Sequence, residues 1–131
     1  MPQISDLTVK KADGLTDIVF NGVVPSAGDK SPAIFKALDV GANSASRPEL
    51  RVSSSSNRAR TTRVVEATFV FPTVQTVGGA STVAHRTLFE VRATIPTGAP
   101  DDDVEEAVAE AVNLLGTALM RSCFTTGYAP S

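Results

Sequence analysis

Between residues 50 and 96 polar and apolar side chains alternate in runs broken by turns, and that alternation leaves few folds open. In residues 63–71, Val65, Ala67, Phe69 and Phe71 fall to one side and Val64, Glu66, Thr68 and Val70 to the other, which is the period of a half-buried strand. Pro72 follows, and because its ring nitrogen donates no hydrogen bond it is expected to end the strand. Residues 85–95 repeat the pattern, with Phe89, Val91, Ala93 and Ile95 on the apolar side and Pro96 after them. Two such strands joined through Gly78-Gly79 predict an antiparallel pair with one apolar and one polar face.

Upstream, residues 7–10 and 18–24 flank Ala12-Asp13-Gly14. Asp-Gly between β-prone runs predicts a hairpin, here over residues 6–24. A turn cluster from Pro25 to Lys30 leads into a strand over 33–38 that ends at Asp39-Val40-Gly41, and the small, polar residues 41–48 read as a loop. Residues 50–57 hold four consecutive serines, the composition of a flexible linker. Their place between a β-prone start and a strongly patterned strand assigns them to a strand instead, with Asn57-Arg58-Ala59-Arg60 as the connection. Ser54 and Ser56 then share the side of Val52, where each hydroxyl must find a hydrogen bond or cost about 1 to 3 kcal/mol. The sheet so defined covers residues 32–96.

Thr97-Gly98-Ala99-Pro100 is a turn, and Asp102 with Glu105 three residues on has the form of a capping box. A helix is expected to start there. The three aspartates at 101–103 complement the exposed amides of a first turn, each contributing ~0.3 to 1 kcal/mol. Val104, Ala107, Val108, Ala111, Val112, Leu115 and Leu119 recur at helical spacing against Glu105, Glu106, Glu110 and Asn113, so one face is expected to be buried. Gly116 is expected to break the run before a short second helix through Cys123 and Phe124, the pair spanning 102–125, and Gly127 and Pro130 to end the structure. Strands followed by helices define an α+β fold in a single domain. One such helix is too small to cover a sheet of five or more strands. The apolar patch left over predicts a partner chain, most simply a homodimer with Val104, Val108, Leu115 and Leu119 in its interface.

At 131 residues the chain is long enough to bury about two-thirds of its unfolded surface without staples. Its net charge of -2 argues against a uniformly basic nucleic-acid binder. Yet Arg47, Arg51, Arg58, Arg60, Arg63, Arg86 and Arg92 fall in one part of the chain, and the acids lie chiefly in residues 101–106. Arg58, Arg60 and Arg63 read equally well as solvated turn residues. The lone cysteine, Cys123, excludes an intrachain disulfide, suits a reducing compartment and reads as a small packing residue. No secretory leader pattern opens the chain and no apolar run approaches the ~20 residues that span a bilayer, so a soluble, non-secreted protein without membrane contact is expected. His85, the only histidine, has no partner at metal-ligand spacing and reads as a surface or interface residue. No nucleophile elbow accompanies the serines, and Gly78-Gly79 lacks the lysine and strand-to-helix context of a phosphate loop. No enzyme activity, cofactor, metal or small-molecule substrate is therefore expected. The alternative is a dimeric α+β ligand-binding protein or enzyme with a pocket between sheet and helices, which would need convergent polar groups on the apolar side.

The chain resembles the coat proteins of small single-stranded RNA bacteriophages, the levivirus-like family. The resemblance runs nearly the whole length through the order of elements. Locally it rests on Arg51-Val52-Ser53, Asn57-Arg58, residues 63–72, and Thr94-Ile95-Pro96 followed by a short loop, an acidic helix start and Leu114-Leu115. It implies an N-terminal β-hairpin, a five-stranded antiparallel sheet and two C-terminal helices interlocked with those of a second subunit. Homodimers would build an icosahedral shell, a virion assembled in the bacterial cytoplasm around single-stranded RNA. The sheet would face the interior, where studied members bind a genomic stem-loop and repress replicase translation. Carried over by alternation, the interior set is Arg51, Ser53, Ser55, Asn57, Val64, Glu66, Thr68, Leu88, Glu90 and Arg92. The arginines suit phosphates, and the serines, Asn57 and Thr68 suit bases or sugar. Glu66 and Glu90 stand where the family often has lysine, threonine or asparagine, and Leu88 where it has a stacking aromatic. These departures favour general packaging by arginines over recognition of one hairpin. Thr76, Val77, Gly78, Gly79, Ala80, Ser81 and Thr82 correspond to a loop that makes contacts between dimers around symmetry axes.

Overall fold

The structure, a computed structural model, describes residues 2–41 and 43–131. The chain divides into a sheet unit, Met1–Thr94, and a helical unit, Ile95–Ser131. Its strands are β1 (Leu7–Lys10), β2 (Asp17–Val24), β3 (Ala33–Lys36), β4 (Glu49–Ser56), β5 (Thr62–Val77) and β6 (Ala80–Pro96), followed by helices α1 (Asp101–Leu115) and α2 (Ala118–Thr126). The six strands lie side by side in chain order. The architecture is thus α+β with two C-terminal helices, and the N-terminal hairpin joins the sheet instead of standing outside a five-stranded one.

The hairpin forms because Asp13 closes it. Its carboxylate accepts from the amides of Leu15 and Thr16 at 2.9 Å each and from the Thr16 hydroxyl at 2.5 Å, and Gly14 takes the left-handed φ of 72° that the turn needs. β2 then serves two neighbours. It pairs with β1 through Leu7↔Phe20 to Lys10↔Asp17, and with β3 after a register shift between Gly22 and Val24. Gly22 sits at the crossing: a Cβ there would lie 2.7 Å from Ile4 Cγ1, and its amide donates to Asp6 Oδ1 at 3.0 Å.

β3 ends sooner than the apolar run suggested: the amide of Ala37, a fully buried residue, still donates in register to the Pro48 carbonyl at 3.2 Å, but Pro48 has no N–H to return the bond and the ladder stops there. Within the expected 41–48 loop a one-turn 3₁₀ helix forms at Ser44–Ser46, held by reciprocal side-chain bonds between Asn43 and Ser46; Ala42 lies outside the described residues. The serine run is a strand. β4 pairs with β5 from Glu49↔Val70 to Ser56↔Arg63, and the linker-like composition is overridden because Arg63 supplies the missing partners. Its guanidinium donates to Ser56 Oγ at 2.8 Å, to Ser54 Oγ at 3.3 Å and to Asp29 Oδ1 at 2.8 Å.

Pro72 does not end β5, which continues to Val77. The reason is local to the sheet: the β4 ladder stops at Glu49↔Val70, so past that point no β4 acceptor waits for an N–H from residue 72. Beyond it β5 and β6 run on as a two-stranded ribbon, and the loop expected at 76–82 contracts to a two-residue turn. Gly78 and Gly79 take φ of 60° and 82°, the mirror-image turn that suits the twist of a hairpin.

The buried core cluster consists of Phe20, Phe35 and Ala37, with Leu50, Val52 and Phe69 packed against them. Phe20 and Phe69 meet edge to face at 5.8 Å. In the helical unit the capping box does not form. α1 starts at Asp101 with Pro100 at its N-cap and no side-chain cap bond, and the Pro100 carbonyl accepts from Asp103 and Val104 at 3.1 Å. All three aspartates therefore lie inside the first turn and act by charge alone. Gly116 does end α1, Thr117 caps α2 through Met120 N, and Gly127 ends it with φ of 80°. The expectation of a buried helix face fails in the single chain: neither helix holds a buried residue, and Val112 and Leu119 are 62% and 59% exposed.

Candidate nucleic-acid interface

Residues directly opposite in an antiparallel ladder share a face, so the β4–β5 register sorts the side chains. Arg51, Ser53 and Ser55 stand opposite Thr68, Glu66 and Val64 on one face, whereas Leu50, Val52, Ser54 and Ser56 stand with Phe69, Ala67, Val65 and Arg63 on the other. Arg92 Nη1 lies 3.2 Å from Glu66 Oε1, and Arg86 lines one depression with Arg51 and Val70. Both anchor β6 to the first face, where alternation also places Leu88 and Glu90. Nine of the ten carried-over residues thus come together on one surface.

Asn57 is the exception. Its Oδ1 accepts from Thr61 N at 2.8 Å and Thr62 N at 3.2 Å, and its Nδ2 donates to Thr61 Oγ1, so the side chain is spent on closing the β4–β5 turn. Arg63, on the opposite face with Val65 and Ala67, is not the solvated turn residue that its sequence neighbours suggested. The Arg63 guanidinium holds the Asp29 carboxyl below the usual carboxylate range, and Lys30 N donates to Ser54 O at 2.8 Å. Residues 29–30 are thereby fixed to β4.

Charge on the polar face is paired more tightly than the sequence suggested. Glu49, half-buried, accepts from Arg51 Nε at 2.5 Å and lies 4.0 Å from Lys36 Nζ. Glu66 takes Arg92. Glu90 and Arg86 have no ion pair among the described residues. Sequence reasoning passed over Glu49 and Lys36 and counted Arg86 among the clustered arginines without placing it on this face. The alternation that carried Arg51 also carries Glu49, two residues before it, and Arg86, six before Arg92. Lys36 is reached only through the register Lys36↔Glu49.

On the opposite face Leu7, Val9, Phe20, Leu50 and Phe69 line an apolar groove of about 230 Å³, which offers none of the convergent polar groups that a ligand pocket would need. Among the described residues no three potential metal ligands cluster, and no helix is long and apolar enough to cross a membrane.

A six-stranded antiparallel meander with one polar face, followed by two amphipathic helices, is the fold of the small phage coat proteins. The likeness extends over 99% of this chain and 99% of the chain in the virus-like particle of Beihai levi-like virus 21, with a TM-score of 0.86 at 18% identity. The virus-like particle of bacteriophage NT-214 matches over 99% of both chains with a TM-score of 0.81 at 21% identity, and the capsid protein of bacteriophage GA over 95% of both with 0.72 at 18%. No family model matches the chain, and no curated protein matches it in sequence.

Proposed function

We propose that this chain is a structural capsid protein, without catalytic activity, whose homodimers assemble into an icosahedral shell around single-stranded RNA. The observation that carries the reading is the fold match to proteins of virus-like particles, which spans 99% of each chain. Two features of the chain support it independently. The apolar stripe of α1 and α2, with Val108 48% exposed, needs a cover of the size that a second copy supplies. The polar face of β4–β6 gathers Arg51, Arg86 and Arg92 with hydroxyls suited to ribose and bases, and sequence-independent phosphate contacts are what packaging requires. Such a particle belongs in the virion, built in the cytoplasm of a bacterial host.

The residues favour general packaging over one operator hairpin. Glu66 and Glu90 repel phosphate, and Leu88 offers no aromatic ring for stacking. Size-exclusion of the expressed protein tests the capsid: a megadalton peak rich in 260 nm absorbance is expected, and a clean RNA-free dimer would defeat it. Changing both Glu66 and Glu90 to Gln then separates the RNA modes in filter binding. Higher affinity for every RNA is expected, because the exchange frees Arg92 and removes two repulsions. Weaker binding to one hairpin alone would show base reading by the carboxylates.

A further inference from the structure

The sequence contains a single Asn-Gly pair, Asn21-Gly22, and it lies where β2 passes from one neighbour to the other. The β1 ladder begins only at Leu7↔Phe20, so past that rung the N-terminal segment holds β2 through a side chain. Asp6 grips both members of the pair: its Oδ1 accepts from Gly22 N at 3.0 Å and its Oδ2 from Asn21 Nδ2 at 3.2 Å. Ile4, packed against the core cluster, closes over the glycine, with Cγ1 2.7 Å from where a Cβ would stand. Asn-Gly is the most labile setting for an asparagine, because a glycine nitrogen reaches the preceding side-chain carbonyl carbon with no Cβ in its way. In that reaction Gly22 N bonds to Asn21 Cγ, its proton passes through water to Nδ2, the Cγ–Nδ2 bond breaks and Nδ2 leaves as ammonia. Water then opens the cyclic imide to aspartate or isoaspartate. The docked segment opposes each part. Pairing with β3 keeps Asn21 extended, away from the rotation that brings the nitrogen onto Cγ, while Asp6 holds both the attacking N–H and the leaving amide.

We propose that Asn21 is a latent deamidation site gated by the N-terminal segment: while Ile4 and Asp6 are docked it is unreactive, and once they release it water converts it to a carboxylate. The change runs one way. The new carboxylate faces Asp6, so an accepted hydrogen bond is replaced by repulsion between like charges, and the segment no longer redocks. Isoaspartate goes further, because its extra backbone methylene upsets the side-chain alternation of β2. The site therefore keeps a covalent record of each opening of the hairpin base. Asp13-Gly14, the other dipeptide prone to imide closure, is guarded differently. Its carboxyl, held at about 2 by the Thr16 hydroxyl and the amides of Thr16 and Leu15, is ionised and a poor electrophile, and Gly14 N donates to the Lys11 carbonyl at 3.0 Å.

The test ages the full-length protein at neutral pH and follows Asn21 by peptide mass mapping, with enzymatic carboxyl methylation to detect isoaspartate. Unsubstituted protein, Asp6→Ala, Asp6→Asn and Ile4→Ala are compared with the same chain in denaturant, which sets the unprotected rate. Protection reports a local opening equilibrium, so loss of two carboxylate hydrogen bonds in Asp6→Ala should speed conversion about tenfold. Asp6→Asn keeps an acceptor for Gly22 N and should show a smaller rise. Ile4→Ala undocks the segment without touching the carboxylate and should also be faster, and it decides the matter if Asp6→Ala does not fold. Conversion of the folded, unsubstituted protein at the denatured rate would overturn the gate. So would an unchanged rate in Asp6→Ala and Ile4→Ala, or a slower one in Asp6→Ala, which would make Asp6 the base that activates Gly22 N. An equal rise at Asp13-Gly14 would reveal general loosening of the hairpin and overturn the gate as well.

Discussion

Single residues decide whether this unusual serine strand holds. Arg63 serves two half-buried hydroxyls and the Asp29 carboxylate. The ion pair itself is weak, because Arg63 and Asp29 are 42% and 51% exposed and such pairs contribute about 0 to 1 kcal/mol. The hydroxyl bonds weigh more. Arg63→Ala should therefore cost about 1 to 2 kcal/mol, and Asp29→Asn clearly less, as measured by denaturant unfolding at fixed protein concentration. Equal costs would show that the ion pair dominates. At the other hairpin, the Thr16 hydroxyl and the amides of Thr16 and Leu15 hold the Asp13 carboxyl at about 2, against an ordinary 3.8. Because the folded value lies below the unfolded one, the turn's contribution is complete above 3.8 and is lost as the pH falls through 2. Carboxyl titration by NMR should find that midpoint in the intact protein and a higher one in Thr16→Val. An Asp13 midpoint already at the ordinary value would refute the assignment.

At the scale of elements, residues 73–82 of the β5–β6 ribbon are all exposed, and two-stranded ribbons are marginal in water. Its turn depends on two left-handed residues, Gly78 and Gly79. Changing both to alanine should strain the tip by about 1 to 2 kcal/mol per residue. Faster amide exchange is expected over residues 74–83, with the rest of the sheet unchanged. If the tip makes contacts between dimers, the same variant forms normal dimers but altered particles. Particles of normal size and heat stability would count against that role.

For the whole molecule the deciding fact is how little one chain buries. Among the described residues Phe20, Phe35 and Ala37 form the buried core cluster, while Val108, Val112, Leu114, Leu119 and Phe124 of the helices are each about half exposed or more. The helical unit of residues 95–131 is below the roughly 40 residues that usually fold alone, and its apolar stripe has no cover of its own. The homodimer we propose would accordingly be the smallest stable species. The unsubstituted protein should show no folded monomer at low micromolar concentration, and Val108→Asp, which would bury an unpaired carboxylate, should abolish soluble dimer. A well-folded monomer by analytical ultracentrifugation would overturn this.

Period-two alternation over residues 63–71 and 85–95, Asp-Gly at 13–14 and the stripe from Val104 to Leu119 were enough, without any structure, to give the element types and the two faces of the sheet. These are local patterns, and each rests on a repeat that a few neighbouring residues carry. What the sequence could not decide depends on where one strand stops relative to another. Pro72 stays in β5 because the β4 ladder has already ended at Val70. Asn57 leaves the polar face because a turn claims its hydrogen bonds, and Arg63, on the opposite face, is claimed by two serines. Lys36 and Glu49 join that face through a cross-strand register that no single stretch encodes. Local spacing assigns a side chain to a face, but only tertiary pairing determines which neighbours meet it there and whether its charge remains free for a ligand.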